Sequence, residues 1–285
     1  MNMKPAIDVS YFPGCSLDST ATEKNLSLIN LLSRLGINLV ELDDWSCCGS
    51  SSAHSLDPEL AFDLANRNLS LAPSGRPLIV ACPSCLMRLR EAQHHLENDE
   101  NARIRYEERW GRPIDPKLQI QHYFELLDRK DLLIYTKDLA EKLNGLKCVI
   151  YYGCMLWRPP SLRNDKNYYG LMEKILASLG ATVLPWTSAT QCCGTFLSVT
   201  RPDVITPIAN KIISDAQDAG AEFIITACAM CHLNLEIRPT VKPMIPTLHF
   251  TEIISLAMGT DDYAGWFSKH IVDPSPALRS KGLIQ

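Results

Sequence analysis

The chain has 285 residues, 46% of them hydrophobic and 21% charged, with a formal net charge of -4. That is the make-up of an ordinary globular chain, long enough for one large core or two modest ones. It carries no Lys/Arg block or basic arm, which argues against nucleic acid as a partner, and its longest apolar runs, such as Phe223–Met230, are far too short to span a bilayer. Met1-Asn2-Met3-Lys4-Pro5 lacks the apolar stretch of a secretory signal, so the expected location is the cytoplasm.

In chain order, Ile7–Phe12 reads as a strand running into Gly14-Cys15. A helix over Thr22–Leu35 stops at Leu35-Gly36. A short strand, Asn38–Leu42, leads to Cys47-Cys48-Gly49. A helix follows over Pro58–Asn68, and the strand Leu78–Ala81 ends at Cys82-x-x-Cys85. A long charged helical insertion, Leu86–Trp110, comes before a further helix that opens at His122. The same order then returns. The strand Cys148–Tyr152 runs into Gly153-Cys154, and the helix Tyr168–Leu179 stops at Leu179-Gly180. The strand Thr182–Pro185 precedes Cys192-Cys193-Gly194. The helix Pro202–Ala219 and the strand Phe223–Ala227 lead to Cys228-x-x-Cys231, and a helix opens after His249. Strand, helix, strand, helix, strand is the alternation of a parallel sheet with crossover helices. The expected fold is α/β, with two similar modules related by a pseudo-twofold, each a small parallel sheet with crossover helices. The expected division is 1–145, 146–258 and a tail, 259–285, that either docks or is partly disordered. Every cysteine group falls at the end of an expected strand, where ligands gather in open parallel sheets.

Ten of the eleven cysteines thus form one frame twice, with gaps of 31 and 33 residues in the first copy and 37 and 34 in the second. Packing alone does not repeat five positions in one order. Thiols in the cytoplasm stay reduced, so disulfides are the weaker reading. Structural zinc takes four ligands and often two Cys-x-x-Cys knuckles, whereas each copy here has one knuckle, one adjacent pair and a single Cys; zinc in one module stays open. Soft thiolate sets of this kind suit iron–sulfur clusters, one per copy. Five sulfurs exceed the four of a cubane, which points to a bridging thiolate or a cluster that is not a simple cube. Gly49 supplies the freedom to turn both adjacent cysteines toward one centre. The closely spaced ferredoxin run and Gly-x-Gly-x-x-Gly are both missing, so electrons have to come from, or leave to, another subunit.

The doubled frame resembles the CCG signature of the catalytic B subunit of heterodisulfide reductase. Flanking residues agree: Tyr11-Phe-Pro-Gly-Cys15, Asp44-Trp-Ser-Cys-Cys-Gly49, Tyr152-Gly-Cys154 with Arg158-Pro159, and His270-Ile-Val-Asp-Pro274. The resemblance implies two non-cubane [4Fe–4S] clusters that face each other and cleave a disulfide between them. It assigns Cys15, Cys47, Cys48, Cys82 and Cys85 to the first, and Cys154, Cys192, Cys193, Cys228 and Cys231 to the second, as cofactor ligands and catalytic groups. It also implies a ferredoxin-like C subunit, a flavin-bearing A subunit, and a disulfide or thiol substrate. One departure is Cys228-Ala-Met-Cys231, where the family usually has the proline seen in Cys82-Pro83-Ser-Cys85. The competing expectation is an iron–sulfur electron-transfer subunit of a lactate or glycolate oxidase or of a succinate or fumarate reductase.

Other polar residues have plainer readings beside functional ones. Arg158, four residues past Cys154, is a candidate contact for a substrate anion or a surface ion pair. Arg88 and Arg90 read as a solvated helix face. Trp45 and Trp157 either shield a cluster or pack. His232 reads as a hydrogen-bonded structural residue before a proton donor. His122 and His249 stand at matching positions and share a structural role. Cys148 is outside both frames and reads as a small buried hydrophobe.

Overall fold

The computed structural model describes residues 7–129, 139–157 and 168–285. Two four-stranded sheets dominate it, and both are wholly parallel. In the first, β1 (Ile7–Phe12), β2 (Ile37–Glu41), β3 (Leu78–Val80) and β4 (Ile120–His122) lie in the order β2-β1-β3-β4. In the second, β5 (Lys147–Tyr151), β6 (Thr182–Val183), β7 (Phe223–Thr226) and β8 (Thr247–His249) lie in the order β6-β5-β7-β8. The two orders are the same under β1↔β5, β2↔β6, β3↔β7 and β4↔β8. The short runs Leu78–Val80 and Phe223–Thr226 are buried throughout and almost wholly apolar, as central parallel strands covered on both faces are.

The fourth strand of each sheet is an addition to the three expected. Ile120–His122 and Thr247–His249 are only three residues long and run straight into helices at Tyr123 and Phe250, so no periodicity marks them. The charged insertion is helical, as expected. It is two helices, Pro83–Asn98 and Glu100–Trp110, broken at Asp99, whose backbone is extended and whose carboxylate accepts from Ala102 N at 2.9 Å. Asp is a poor helix-interior residue and a good N-cap, and here the cap outweighs the continuous charge pattern.

The two sheets share a core, and the second sheet also packs a separate apolar cluster that includes Val149, Ile213 and Ile224. A single apolar cluster joins Phe12, Leu31 and Phe124 of the first half to Ile150, Phe250 and Phe267 of the second. Phe124 and Phe250 each follow the matched histidine of their half within two residues. They meet each other edge-on with ring centroids 5.6 Å apart, which ties the two halves at the start of these helices. The helix Thr22–Arg34 packs on the helix Phe250–Ala257. There Ser27 Oγ lies 2.6 Å from Thr251 Oγ1, and Ser255 donates to the Ser27 carbonyl at 3.1 Å. Residues after Gly259 add the helices Tyr263–Phe267 and Ser275–Ser280, and bury Trp266, Phe267 and Leu278 in the same core.

Candidate metal centres

Each cysteine group leaves the carboxyl end of a strand. Cys15 follows β1 and opens a π-helical turn, Ser16–Thr20. Cys82 and Cys228 follow β3 and β7 and stand at the N-caps of the helices Pro83–Asn98 and Ala229–Ile237. Cys85 and Cys231 then fall in the first helical turn. Ala229 takes the first helical position just as Pro83 does, so the missing proline leaves the turn intact. The helix N-termini offer backbone N–H groups and a positive dipole end to sulfur.

The five sulfurs of each half come together. In the first, Cys15 and Cys47 Sγ are 3.7 Å apart and Cys48 and Cys85 Sγ 3.1 Å apart; Cys82 bonds to Cys85. In the second, Cys193 and Cys231 Sγ are 3.4 Å apart, Cys154 bonds to Cys192, and Cys228 bonds to Cys231. All ten are free thiols. The Cys-Cys-Gly turn aims a backbone N–H back at the first sulfur: Gly49 N to Cys47 Sγ at 3.5 Å, Gly194 N to Cys192 Sγ at 3.3 Å. Both glycines have positive φ, +73° and +79°, so the turn needs a residue tolerant of that backbone. Gly14 and Gly153 do a second job. A Cβ at either would lie 2.9 Å from Cys85 Sγ or 3.0 Å from Cys231 Sγ, so their bareness keeps the inner sulfur in place.

Burial is graded alike in both. Cys48, Cys82, Cys85, Cys193, Cys228 and Cys231 are buried, Cys154 is half-buried, and Cys15, Cys47 and Cys192 are exposed. The sulfurs also perturb one another. Donation to Cys47 together with burial pushes the Cys15 thiol up, while donation from Cys15 and Cys48 holds Cys47 well below the usual thiol range. Cys85 brings Cys82 down to about 7, and Cys231 lowers Cys193. Cys85 and Cys231 are pushed up, first by Cys48 and Cys193. Five thiols this close share protons. They can all ionise only around a cation, so the donor set fits a thiolate-bound metal or cluster.

The two groups are near each other. Ser16, beside Cys15, donates to Met230 Sδ between Cys228 and Cys231 at 2.9 Å. Pro83 and Ser84 of the first Cys-x-x-Cys line a small cavity with Cys154, Cys192, Cys193, Cys228 and Cys231. Tyr123 is fully buried and feels the charge of Cys228 and Tyr11, and its hydroxyl has no hydrogen-bond partner among the described residues.

The matched histidines make matching bonds. His122 Nε2 bonds to the Ala81 carbonyl at 3.1 Å, and His249 bonds to the Ala227 carbonyl, each just before a Cys-x-x-Cys. Their backbone N–H groups are capped by Glu125 and Glu252, three residues on. Burial pushes both imidazole pKa values down to about 3. Arg90 departs from expectation. It is buried, donating to the Ile120 carbonyl at 2.9 Å and to Glu125 at 2.8 Å, because β4 brings both acceptors over its helix. Arg88 is half-buried and pairs with Glu91. Trp45 packs edge-on against Phe12 and Trp157 against Tyr169. Cys148 is fully buried in β5. Arg158 lies outside the described residues.

The model of a cysteine-rich domain, CCG, matches residues 9–90 and again 148–236. A heterodisulfide reductase B subunit-like protein of Archaeoglobus profundus is 27% identical over 90% of this chain and 92% of its own length. The 8-methylmenaquinol:fumarate reductase membrane anchor subunit of Wolinella succinogenes is 29% identical over 88% and 92%. Among the described residues of the present chain, no helix is long and apolar enough to cross a membrane. The fold is shared with the crystal structure of a hypothetical protein from Helicobacter pylori, with a TM-score of 0.74 and 14% identity, over 94% of this chain and about half, 52%, of that one. With the matched cysteine frame present twice and its sulfurs gathered twice, the chain belongs to the cysteine-rich CCG-domain family, as an iron–sulfur protein like the B subunit of heterodisulfide reductase.

Proposed function

We propose that the chain is the catalytic iron–sulfur subunit of a heterodisulfide reductase-like complex. Cys15, Cys47, Cys48, Cys82 and Cys85 would hold one non-cubane [4Fe–4S] cluster, and Cys154, Cys192, Cys193, Cys228 and Cys231 a second. The observation that carries this reading is the pair of five-sulfur groups, each complete and adjacent to the other across the two halves. Two such clusters would supply one electron each and iron with an affinity for thiolate. Reductive cleavage of R–S–S–R′ consumes two electrons and two protons and yields RSH and R′SH; the reverse returns them. The chain's own part is to supply the sulfurs, to keep six of the ten out of water, and to leave Cys15, Cys47 and Cys192 exposed.

Electrons would pass to or from a ferredoxin-like C subunit and a flavin-bearing A subunit. Exposed apolar residues just after each Cys-Cys-Gly turn, Leu56 in one half and Leu197 and Val199 in the other, suit a partner's approach. A thiol-rich chain of this kind works in the reducing cytoplasm. The test is EPR on anaerobically purified protein before and after adding thiols and disulfides. A thiol-induced paramagnetic signal supports sulfur chemistry at the clusters, and disulfide reduction undiminished in Cys193→Ser refutes a mechanism that needs both sites. The similarity to the fumarate reductase anchor subunit favours a second reading, electron transfer without sulfur chemistry. That reading predicts clusters whose spectra ignore thiols.

A further inference from the structure

Behind the second sulfur group lies a buried cluster that the proposed sulfur chemistry does not use. His232 follows Cys231, Glu236 lies one turn further along the same helix, and His270 reaches in from the segment after Gly259. Their ligand atoms all lie within 4.8 Å of one another. Glu236 Oε1 is 3.5 Å from His232 Nε2 and 3.5 Å from His270 Nδ1, and the two rings stand at 88° to each other. All three side chains are at most 2% exposed. Yet Glu236 Oε1, His270 Nδ1 and both nitrogens of His232 have no hydrogen-bond partner among the described residues. Buried polar atoms are normally paired, and here the facing atoms stand 3.5 Å apart as ion pairs without normal hydrogen-bond geometry, which leaves a point among them for an occupant.

We infer that His232, Glu236 and His270 bind one divalent transition-metal ion of the zinc class, separate from the sulfur sites. Metal bonds of about 2.0–2.1 Å in a tetrahedron set ligand atoms about 3.4 Å apart, which the two 3.5 Å separations match. Supporting contacts are those of a ligand set held in place. His270 turns its other nitrogen, Nε2, to Glu252 Oε1 at 3.0 Å, and Glu236 Oε2 accepts from Ile271 N at 3.0 Å.

Charge gives an independent reason. The buried groups here are the carboxylates of Glu23, Glu236 and Glu252 and the ammonium of Lys24, which sits 2.5 Å from Glu23 and 3.9 Å from Glu252. The three carboxylates exceed the one ammonium by two charges; a protonated His270 between Glu236 and Glu252 offsets one of them, and a dication that displaces that proton offsets both. The first half shows the alternative. Glu125 matches Glu252, and Arg90 matches Glu236, five residues past the last cysteine of its frame. There the guanidinium of Arg90 neutralises Glu125 directly. In the second half the chain places a carboxylate where the first has its cation. A bound ion would restore the balance and pin the segment carrying His270 onto the helix that carries Cys231. A water would complete the tetrahedron.

The experiment is metal analysis and zinc K-edge EXAFS on the full chain, purified anaerobically, given one equivalent of Zn²⁺ and desalted. The expected result is one retained equivalent with a nitrogen/oxygen shell at about 2.0–2.1 Å. His270→Gln and Glu236→Gln each lose that equivalent and shell, while iron content stays that of the parent. Zinc seen only with sulfur at about 2.3 Å, no retained zinc, or a nitrogen/oxygen shell that persists in both variants would overturn the site. If a variant does not fold, the parent spectrum alone decides. A cluster held only by a protonated His270 between Glu236 and Glu252 gives the no-zinc outcome.

Discussion

Gly14 and Gly36 separate two demands that a single residue can carry. Both have positive φ, +76° and +70°, but a Cβ on Gly14 meets Cys85 Sγ at 2.9 Å while one on Gly36 meets nothing within 4 Å. Ala at either position should cost about 1–2 kcal/mol of left-handed strain, read from urea midpoints. Only Gly14→Ala should also lower the iron bound by the first sulfur group. Equal iron in the two variants would show that the glycine does not make room for sulfur. His122 gives a pH signature. Burial first, then the charges of Arg90 and His249, hold its folded pKa at about 3 against a normal 6.5, with the Ala81 carbonyl opposing. A depressed folded pKa means that the unfolded chain takes up a proton the fold refuses. Stability is therefore lost as pH falls from about 6.5 toward 3. His122→Gln should flatten that part of the profile, so denaturation midpoints at pH 7 and pH 5 should differ less in the variant than in the parent. At this scale the ten cysteines were legible because the same spacing occurs twice. Arg90 and the His232–Glu236–His270 group were not, since each owes its burial to a segment remote in sequence.

Elements were legible where a stop signal or an apolar run marked them. The helix expected over Thr22–Leu35 is Thr22–Arg34, and the strand expected over Leu78–Ala81 is Leu78–Val80. Failures have local causes. β4 and β8 are three residues long and dissolve into the helices that follow. The charged insertion is helical, with Asp99 capping its second helix. The buried tie between the helix Pro83–Asn98 and the end of β4 rests on Arg90. Arg90→Met removes its bonds to Ile120 and Glu125 and leaves Glu125 buried with the Tyr168 hydroxyl. Breaking such a buried pair should cost about 3–5 kcal/mol in urea unfolding. A loss below about 1 kcal/mol, the range of an exposed pair, would mean the tie is incidental.

For the molecule as a whole, the repeat in sequence becomes a repeat in space, with a shared interior. The proposed division near residue 145 marks where the pattern restarts, while the apolar cluster runs through both sides of it. That continuity explains how two sulfur groups far apart in the chain come to lie side by side, which spacing alone does not state. Phe124 and Phe250, which meet across the two halves, should be energetically coupled. A double-mutant cycle with Phe124→Leu and Phe250→Leu should give about 0.5–1.5 kcal/mol, whereas strict additivity would deny the contact its role.

The central claim, two separate five-cysteine sites for iron–sulfur clusters, is tested most directly by iron, sulfide and zinc analysis of anaerobically purified protein. The parent chain should hold about eight iron and eight sulfide. Cys48→Ser/Cys85→Ser and Cys193→Ser/Cys231→Ser should each keep about half, because each removes one contacting sulfur pair from one site only. Iron content indifferent to both substitutions, or zinc in place of iron at the cysteines, would contradict it.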